Sequence, residues 1–272
     1  MKVAKIDNKY YAVNGSTLID LKNFSLESLM HEDIVKDLDR EITNKEGIPL
    51  PSVMDPPVTP PKILAAGLNY EDHAKETNQK PPKEPIFFQK ASTAIIGHGQ
   101  NIILPKSVNQ LDYEAELAVV IGKRGKYISR DRAYEYVLGY TIMNDVSSRD
   151  HQFKYNKQWF VGKSFDTFAP LGPWIVDKWS IGNPHSLDIE CKVNGITRQN
   201  SNTSRMIFDI PTLIEFISSI LTLEQFDVIS TGTPSGVALS KTPSQYLKDN
   251  DVVEIKIENI GLLRNTIKSE NR

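Results

Sequence analysis

The chain has 272 residues, 39% of them hydrophobic and 24% charged, with a formal net charge of −2. Those values are ordinary for a globular protein, and with no basic blocks they argue against nucleic acid as a main partner. One cysteine, Cys191, excludes an internal disulfide and any multi-thiolate zinc site, and five scattered histidines lack zinc-ligand spacing.

No apolar run approaches the about 18 residues of a membrane span. Met1-Lys2-Val3-Ala4-Lys5 opens no signal peptide, so the expectation is a cytoplasmic protein with no membrane partner. Residues 2–6 and 10–13 read as a hairpin turning at Asp7-Asn8. Helical spacing follows over 25–43, where Leu26, Leu29, Ile34, Leu38 and Ile42 are separated by charges. Pro49, Pro51, Pro56, Pro57, Pro60 and Pro61 then forbid helix and central strand alike, and read as a semi-rigid linker. The expected organisation is a small N-terminal α+β domain over 1–58 and a main domain over 59–272.

The main domain reads as strand-rich. Residues 63–66, 86–89, 114–121, 140–144 and 174–176 have strand character, and 187–193 with 196–199 flank the hairpin signal Asn194-Gly195. Residues 252–257 and 262–267 flank a turn at Asn259-Ile260-Gly261. Helices are predicted over 130–137, behind a Ser129 cap, and over 209–220, with a stripe of Ile210, Leu213, Ile214 and Ile217. Long runs of strands with few helices predict an α+β fold and not a wound parallel sheet.

The segment Leu111-Asp112-Tyr113-Glu114-Ala115-Glu116-Leu117 carries the strongest chemical signal. On a strand, Glu114 and Glu116 project from one face, and the apolar run Ala118-Val119-Val120-Ile121 carries that strand into a core. Two adjacent carboxylates repel and are costly to bury without a counter-charge. A hard divalent cation resolves the conflict, and Asp145, ending the apolar stretch 140–143, is placed to be a third ligand. Taken alone, the pattern also fits a solvated acidic face. His73 and Glu76 are three apart and share a helix face, so the carboxylate could orient the imidazole; a surface pair has the same spacing. Segments 158–173 and 230–237 are dense in turn residues and fit either pocket loops or ordinary connections.

In order along the chain, four pieces resemble the fumarylacetoacetate hydrolase family, in its bacterial branch of acylpyruvate, diketo-acid and 2-hydroxyhepta-2,4-diene-1,7-dioate enzymes. They are Asp112-Tyr113-Glu114-Ala115-Glu116-Leu117, Asn144-Asp145 with Arg149-Asp150, Gly162-Lys163-Ser164-Phe165-Asp166-Thr167 with Pro170-Leu171-Gly172-Pro173, and Thr231-Gly232-Thr233-Pro234. The resemblance covers about residues 62–268. It implies a multilayer β-roll with peripheral helices, usually a homodimer. It implies metal ligation by Glu114, Glu116 and Asp145, to Mg2+ and sometimes Mn2+ or Ca2+. It further implies that His73 with Glu76 activates a water, that Lys163 and Gln152 contact the reacting substrate, and that Tyr70, Lys90, Arg149 and Thr233 belong to the pocket. The activity implied is metal-dependent C–C bond hydrolysis of a 2,4-dioxo acid through a pyruvate enolate, with decarboxylation of an oxaloacetate-type acid or isomerisation of a 2-hydroxydienoate as the alternatives at the same site. A non-catalytic binder of metal or small acid would not need the His73–Glu76 dyad, and a Ca2+-stabilised structural protein would not need the Lys163 segment. Residues 69–85 read as a lid bringing the dyad over the site. His151, Phe226-Asp227 and Asn250-Asp251 depart from the family's usual pattern.

Overall fold

A computed structural model describes residues 1–43, 45–155 and 158–271. The first 58 residues supply strands β1 (Lys2–Ile6), β2 (Lys9–Asn14), β3 (Thr17–Asp20) and β4 (Ile48–Pro49), with helix α1 (Glu32–Ile42). The stretch to residue 177 supplies β5 (Ile63–Gly67), β6 (Ile86–Lys90), β7 (Ile95–Ile96), β8 (Asn101–Leu104), β9 (Leu111–Asp112), β10 (Ala115–Ile121), β11 (Val137–Asn144), β12 (Ser147–Ser148) and β13 (Ala169–Asp177). It also holds three short helices, α2 (Glu71–Glu76), α3 (Arg149–Lys154) and α4 (Trp159–Lys163). The remainder supplies β14 (Asp188–Val193), β15 (Ile196–Asn202), α5 (Ile210–Ile220), β16 (Val228–Ser230), β17 (Val252–Ile257) and β18 (Gly261–Ser269).

The largest sheet runs β4-β3-β2-β1-β13-β11-β10-β16-β5-β6, a second runs β15-β14-β17-β18-β8, and β9 pairs with β12. This is the strand-rich α+β architecture that the run of strand signals predicts. Its centre is β10 beside β11, buried at every position. Alternation divides β10 between two cores: Leu117, Val119 and Ile121 join one apolar cluster, Ala118 and Val120 the other. Glu116 shares the parity of Ala118 and Val120, so the acidic face continues an apolar one.

The N-terminal strands extend this same sheet. β1 pairs antiparallel with β13, Val3 opposite Ile175, and Val3, Ala12 and Ile19 pack in one cluster with Ile63, Val120 and Val228. The proline-rich stretch is fastened down: Met54 N donates to His98 O at 2.9 Å and Asp55 N to Lys5 O at 3.0 Å, while Met54 and Val58 are buried.

Several elements differ from their sequence patterns. The 25–43 helix is two pieces, a 3-10 turn at Leu26–Met30 and α1, because His31 between them is extended at φ −113°. Residues 130–136 also form a 3-10 helix, and Ser129 makes no side-chain cap bond; Asp209 does cap α5, accepting from Thr212 N at 2.9 Å. β13 is longer than residues 174–176 and passes through Pro170 and Pro173. Pro173 fits this central strand where its register against β11 slips, between Gly172 and Val176, and Pro170 lies where the strand pairs with β7. Asn194 and Gly195 both have positive φ, +53° and +76°, as a two-residue hairpin turn requires. Among the described residues no helix is long and apolar enough to cross a membrane.

Candidate active site

β10 and β11 end side by side, with Ala115 opposite Asn144, and this places Glu114 beside Asp145. Asp145 N donates to Glu114 O at 2.9 Å and the Asn144 side chain accepts from Glu114 N at 3.0 Å, so the two ends are stitched together. One carboxylate oxygen from each of Glu114, Glu116 and Asp145 lies within 4.8 Å of the others, and all three residues are buried.

Buried cations face these acids. Lys163 Nζ donates to Glu114 Oε2 at 2.6 Å and to Asp145 Oδ2 at 2.7 Å; Lys90 Nζ donates to Asp145 Oδ1 at 2.6 Å. Arg149 donates from one terminal nitrogen to Glu114 Oε1 at 2.6 Å, and from Nε to Asp112 Oδ2 at 2.8 Å. Burial would raise the Glu114 carboxyl, but the charges of Lys163 and Arg149 outweigh it and hold the group at about 2. Burial likewise opposes charge on Lys163, and Asp145 and Glu114 overcome it. For Lys90 burial prevails and pushes the ammonium down.

Glu116 is different. Its carboxylate accepts from Ser230 Oγ and from Gly232 N at 2.9 Å, both neutral donors, and among the described residues no cation forms an ion pair with it. Burial first, then the charges of Asp145 and Glu114, push its carboxyl well up. With every group ionised, four buried carboxylates, Asp112 included, would meet three buried cations, and the surplus negative charge is what pushes the Glu116 carboxyl up. That imbalance, on three carboxylates with ligand atoms this close, fits a divalent metal ion.

Above the cluster lies a cleft of about 100 Å³. Glu114, Glu116, Arg149, Gln152, Lys163 and Thr233 are its polar lining, the floor, and His73 lines it as well. Gln152 accepts from Arg149 at 3.0 Å; Thr233 accepts from Gln199 at 2.8 Å and donates to Ala115 O at 3.0 Å. His73 Nδ1 is buried without a hydrogen bond, and Glu76 Oε2, at 3.7 Å, is its nearest acidic neighbour. Glu76 in turn accepts from Gly236 N at 2.9 Å. Burial would raise the Glu76 carboxyl, yet His73, the Gly236 amide, Ser240 and the Lys241 charge together hold it at about 2. Residues 69–79 are docked: Ile207 N donates to Asn69 O at 2.9 Å and Ser201 Oγ to Asp72 at 2.7 Å.

Tyr70 and Lys90 lie outside the cleft lining. Lys90 stands behind Asp145, and Tyr70 is fully buried with its hydroxyl unpartnered. His151 also lies outside, 2.7 Å from Ser148 Oγ and edge-on to Phe165 at 5.1 Å. The sequence places Asn144, Ser230 and Gly232 in its marked segments but assigns them no role, and it does not single out Gln199; their roles depend on contacts remote in sequence. It assigns no role either to the apolar cleft wall of Phe88, Phe153 and Trp159, which carries no polar signal. Gly67 does explain how that wall is built: a Cβ there would lie 2.2 Å from the Trp159 ring.

Residues 62–268 match the family described as fumarylacetoacetate (FAA) hydrolase C-terminal. The chain is 49% identical over 213 residues to a mitochondrial oxaloacetate tautomerase, FAHD2A, of Bos taurus, covering 78% of this chain and 68% of that one. Among solved structures, 5-carboxymethyl-2-hydroxymuconate delta-isomerase from Mycobacterium smegmatis superimposes with a TM-score of 0.81 at 35% identity, covering 100% of both chains. Fumarylacetoacetate hydrolase from Exiguobacterium antarcticum does so with a TM-score of 0.84 at 34% identity, covering 99% of this chain and 100% of that one. With the buried acidic triad at the centre of the matched region, the chain belongs to the fumarylacetoacetate hydrolase family, and it is an enzyme.

Proposed function

We propose that this enzyme moves a proton at the carbon next to the 2-oxo group of a short 2-oxo acid, interconverting its keto and enol forms. The observation that carries the reading is the placement of one imidazole, His73, beside a cleft of about 100 Å³ whose floor is charged and buried. Such a volume suits a compact acid. The relative named as an oxaloacetate tautomerase supports the same reaction class.

A divalent cation held by Glu114, Glu116 and Asp145, Mg2+ in this proposal with Mn2+ and Ca2+ as the other oxygen-preferring ions, would supply the positive charge that acidifies the substrate carbon. The chain's own groups do the rest. With Glu76 facing Nδ1, the imidazole keeps its proton there, and Nε2 takes the substrate proton and returns it. Lys163 and Gln152, on the floor, offer hydrogen bonds to the oxygen that gains charge. Following the ultraviolet absorbance of enol-oxaloacetate tests this. The expected result is an accelerated decay that EDTA abolishes and His73→Asn slows; decay at the uncatalysed rate with Mg2+ present would sink the proposal.

C–C bond hydrolysis is the second reading, favoured by the ionised Glu76 carboxylate beside His73, because that pair can activate a water as readily as a carbon acid. Pyruvate release from acetylpyruvate or fumarylpyruvate separates it from tautomerisation, and release from oxaloacetate reports decarboxylation.

A further inference from the structure

Tyr70 is fully buried, yet among the described residues its hydroxyl has no hydrogen-bond partner. The backbone around it is held firmly. The Asn69 side chain donates to Phe208 O at 3.0 Å and to Thr231 O at 2.8 Å, and Ala74 N donates to Tyr70 O at 3.0 Å where α2 begins. The same stretch packs on the loop that holds Glu116. A Cβ on Gly232 would lie 2.8 Å from Asn69 Cβ, and the Gly232 amide donates to Glu116 Oε2 at 2.9 Å. Burial first, then the charge of Glu116 ahead of that of Asp72, push the Tyr70 hydroxyl well up, so it keeps its proton and can donate it. An unbonded hydroxyl in the interior is costly, and phenylalanine would fill the same space without that cost. A hydroxyl kept there points to a partner that arrives in another state of the site.

We propose that Tyr70 is a positioning residue of the metal site: when a divalent ion occupies Glu114, Glu116 and Asp145, the Tyr70 hydroxyl donates to the Glu116 carboxylate and fixes it in its ligating orientation. The inference rests on the reading of the acidic triad as a metal site. Glu116 is the member of the triad that needs such a donor. Lys163 and Arg149 hold Glu114, and Lys163 and Lys90 hold Asp145. Glu116 has the neutral donors Ser230 Oγ and Gly232 N, and both go to one oxygen, Oε2. A ligand carboxylate with a fixed outer partner has less freedom to lose when the ion binds, and removing such a partner typically weakens metal binding about 10–100-fold. Tyr70 does not line the cleft, so it acts through Glu116 and not on the substrate.

Titration of the EDTA-stripped, desalted enzyme with Mn2+, counting the free ion by its paramagnetic resonance, tests this without any substrate. Tyr70→Phe is expected to weaken Mn2+ binding at least about tenfold. The melting midpoint of the metal-free variant is expected to equal or exceed that of the metal-free parent, because the substitution deletes an unbonded buried hydroxyl and keeps the ring. Unchanged Mn2+ affinity, or weaker binding accompanied by a fall in the metal-free midpoint, overturns the inference and makes Tyr70 a packing residue, while the metal site stands. A parent enzyme that binds no Mn2+ overturns the metal reading and this inference with it.

Discussion

The floor of the cleft and helix α2 at its side are built in opposite ways. On and beneath the floor, Asp112, Glu114, Asp145, Lys90, Lys163 and Arg149 are all buried, and their charges close on one another at 2.6–2.8 Å. The strands that carry Glu114 and Asp145 lie in the middle of the largest sheet, so these groups move only if the sheet does. α2 has six residues, too few to hold its shape without docking, and it presents His73 with a ring nitrogen that has no hydrogen bond. The groups proposed to hold the metal are therefore fixed in advance by their partners, whereas His73, proposed to move the proton, is held by its docked helix and not by a hydrogen bond from Nδ1.

The comparison breaks first, if it is wrong, at Glu114. Glu114→Ala takes from Lys163 and Arg149 the buried carboxylate they share and leaves them only Asp145 and Asp112. The expected loss is about 3–5 kcal/mol of stability together with loss of activity. Chemical denaturation measures it, and a variant as stable as the parent would mean the floor is not the rigid region.

His73→Asn is the counterpart on α2. The rate of the catalysed step is expected to fall by roughly 10²–10⁴, while stability changes by no more than about 1 kcal/mol, because Nδ1 makes no hydrogen bond to lose. Comparing initial rates with the denaturation midpoint of the same variant checks both halves. A large stability loss would place His73 in the structural framework.

How much of this the chain discloses beforehand depends on distance along it. Glu114 and Glu116 are legible because period-two alternation puts them on one face, and Asp145 because it directly follows an apolar strand; the structure brings the three together. Lys90 is 55 residues from Asp145, and Lys163 is 49 from Glu114, so nothing local predicts which acid each will meet. The same limit applied to the sheet. The pattern over 2–13 indicates a hairpin, but β3 and β4 are short and owe their existence to pairing with β2 and with each other. The split in the 25–43 helix also escaped periodicity, since Leu26 and Leu29 are buried in a 3-10 turn as well as they would be in an α-helix.

A smaller effect is expected at the wall. Gly67→Ala puts a methyl group 2.2 Å from the Trp159 ring, and the ring must shift. Overpacking of this kind costs about 1–3 kcal/mol. Thermal denaturation reads the cost, and KM is expected to rise with kcat changed less, because the displaced ring lines the cleft and makes none of the polar contacts of the acidic cluster.

The smallest effect separates the two regions by pH. Glu76 is held at about 2, below the ordinary carboxylate value of 4.5. A carboxyl that is more acidic in the folded state stabilises that state fully above its unfolded value, and the contribution fades as pH falls through the folded one. Glu76→Gln removes the contribution, so the variant is expected to melt below the parent at neutral pH, with the gap closing between pH 4.5 and about 2. Glu114 also titrates near 2, so both proteins lose the floor's ion pairs over the same window. That shared loss cancels in the difference between the two melting curves, and what remains reports the docking of α2 onto the Gly236 amide. Amide exchange within residues 71–76 locates it: faster exchange there in Glu76→Gln, with β10 unchanged, is expected if the carboxylate pins the helix, and equal exchange in both regions would show that α2 is held by its other contacts.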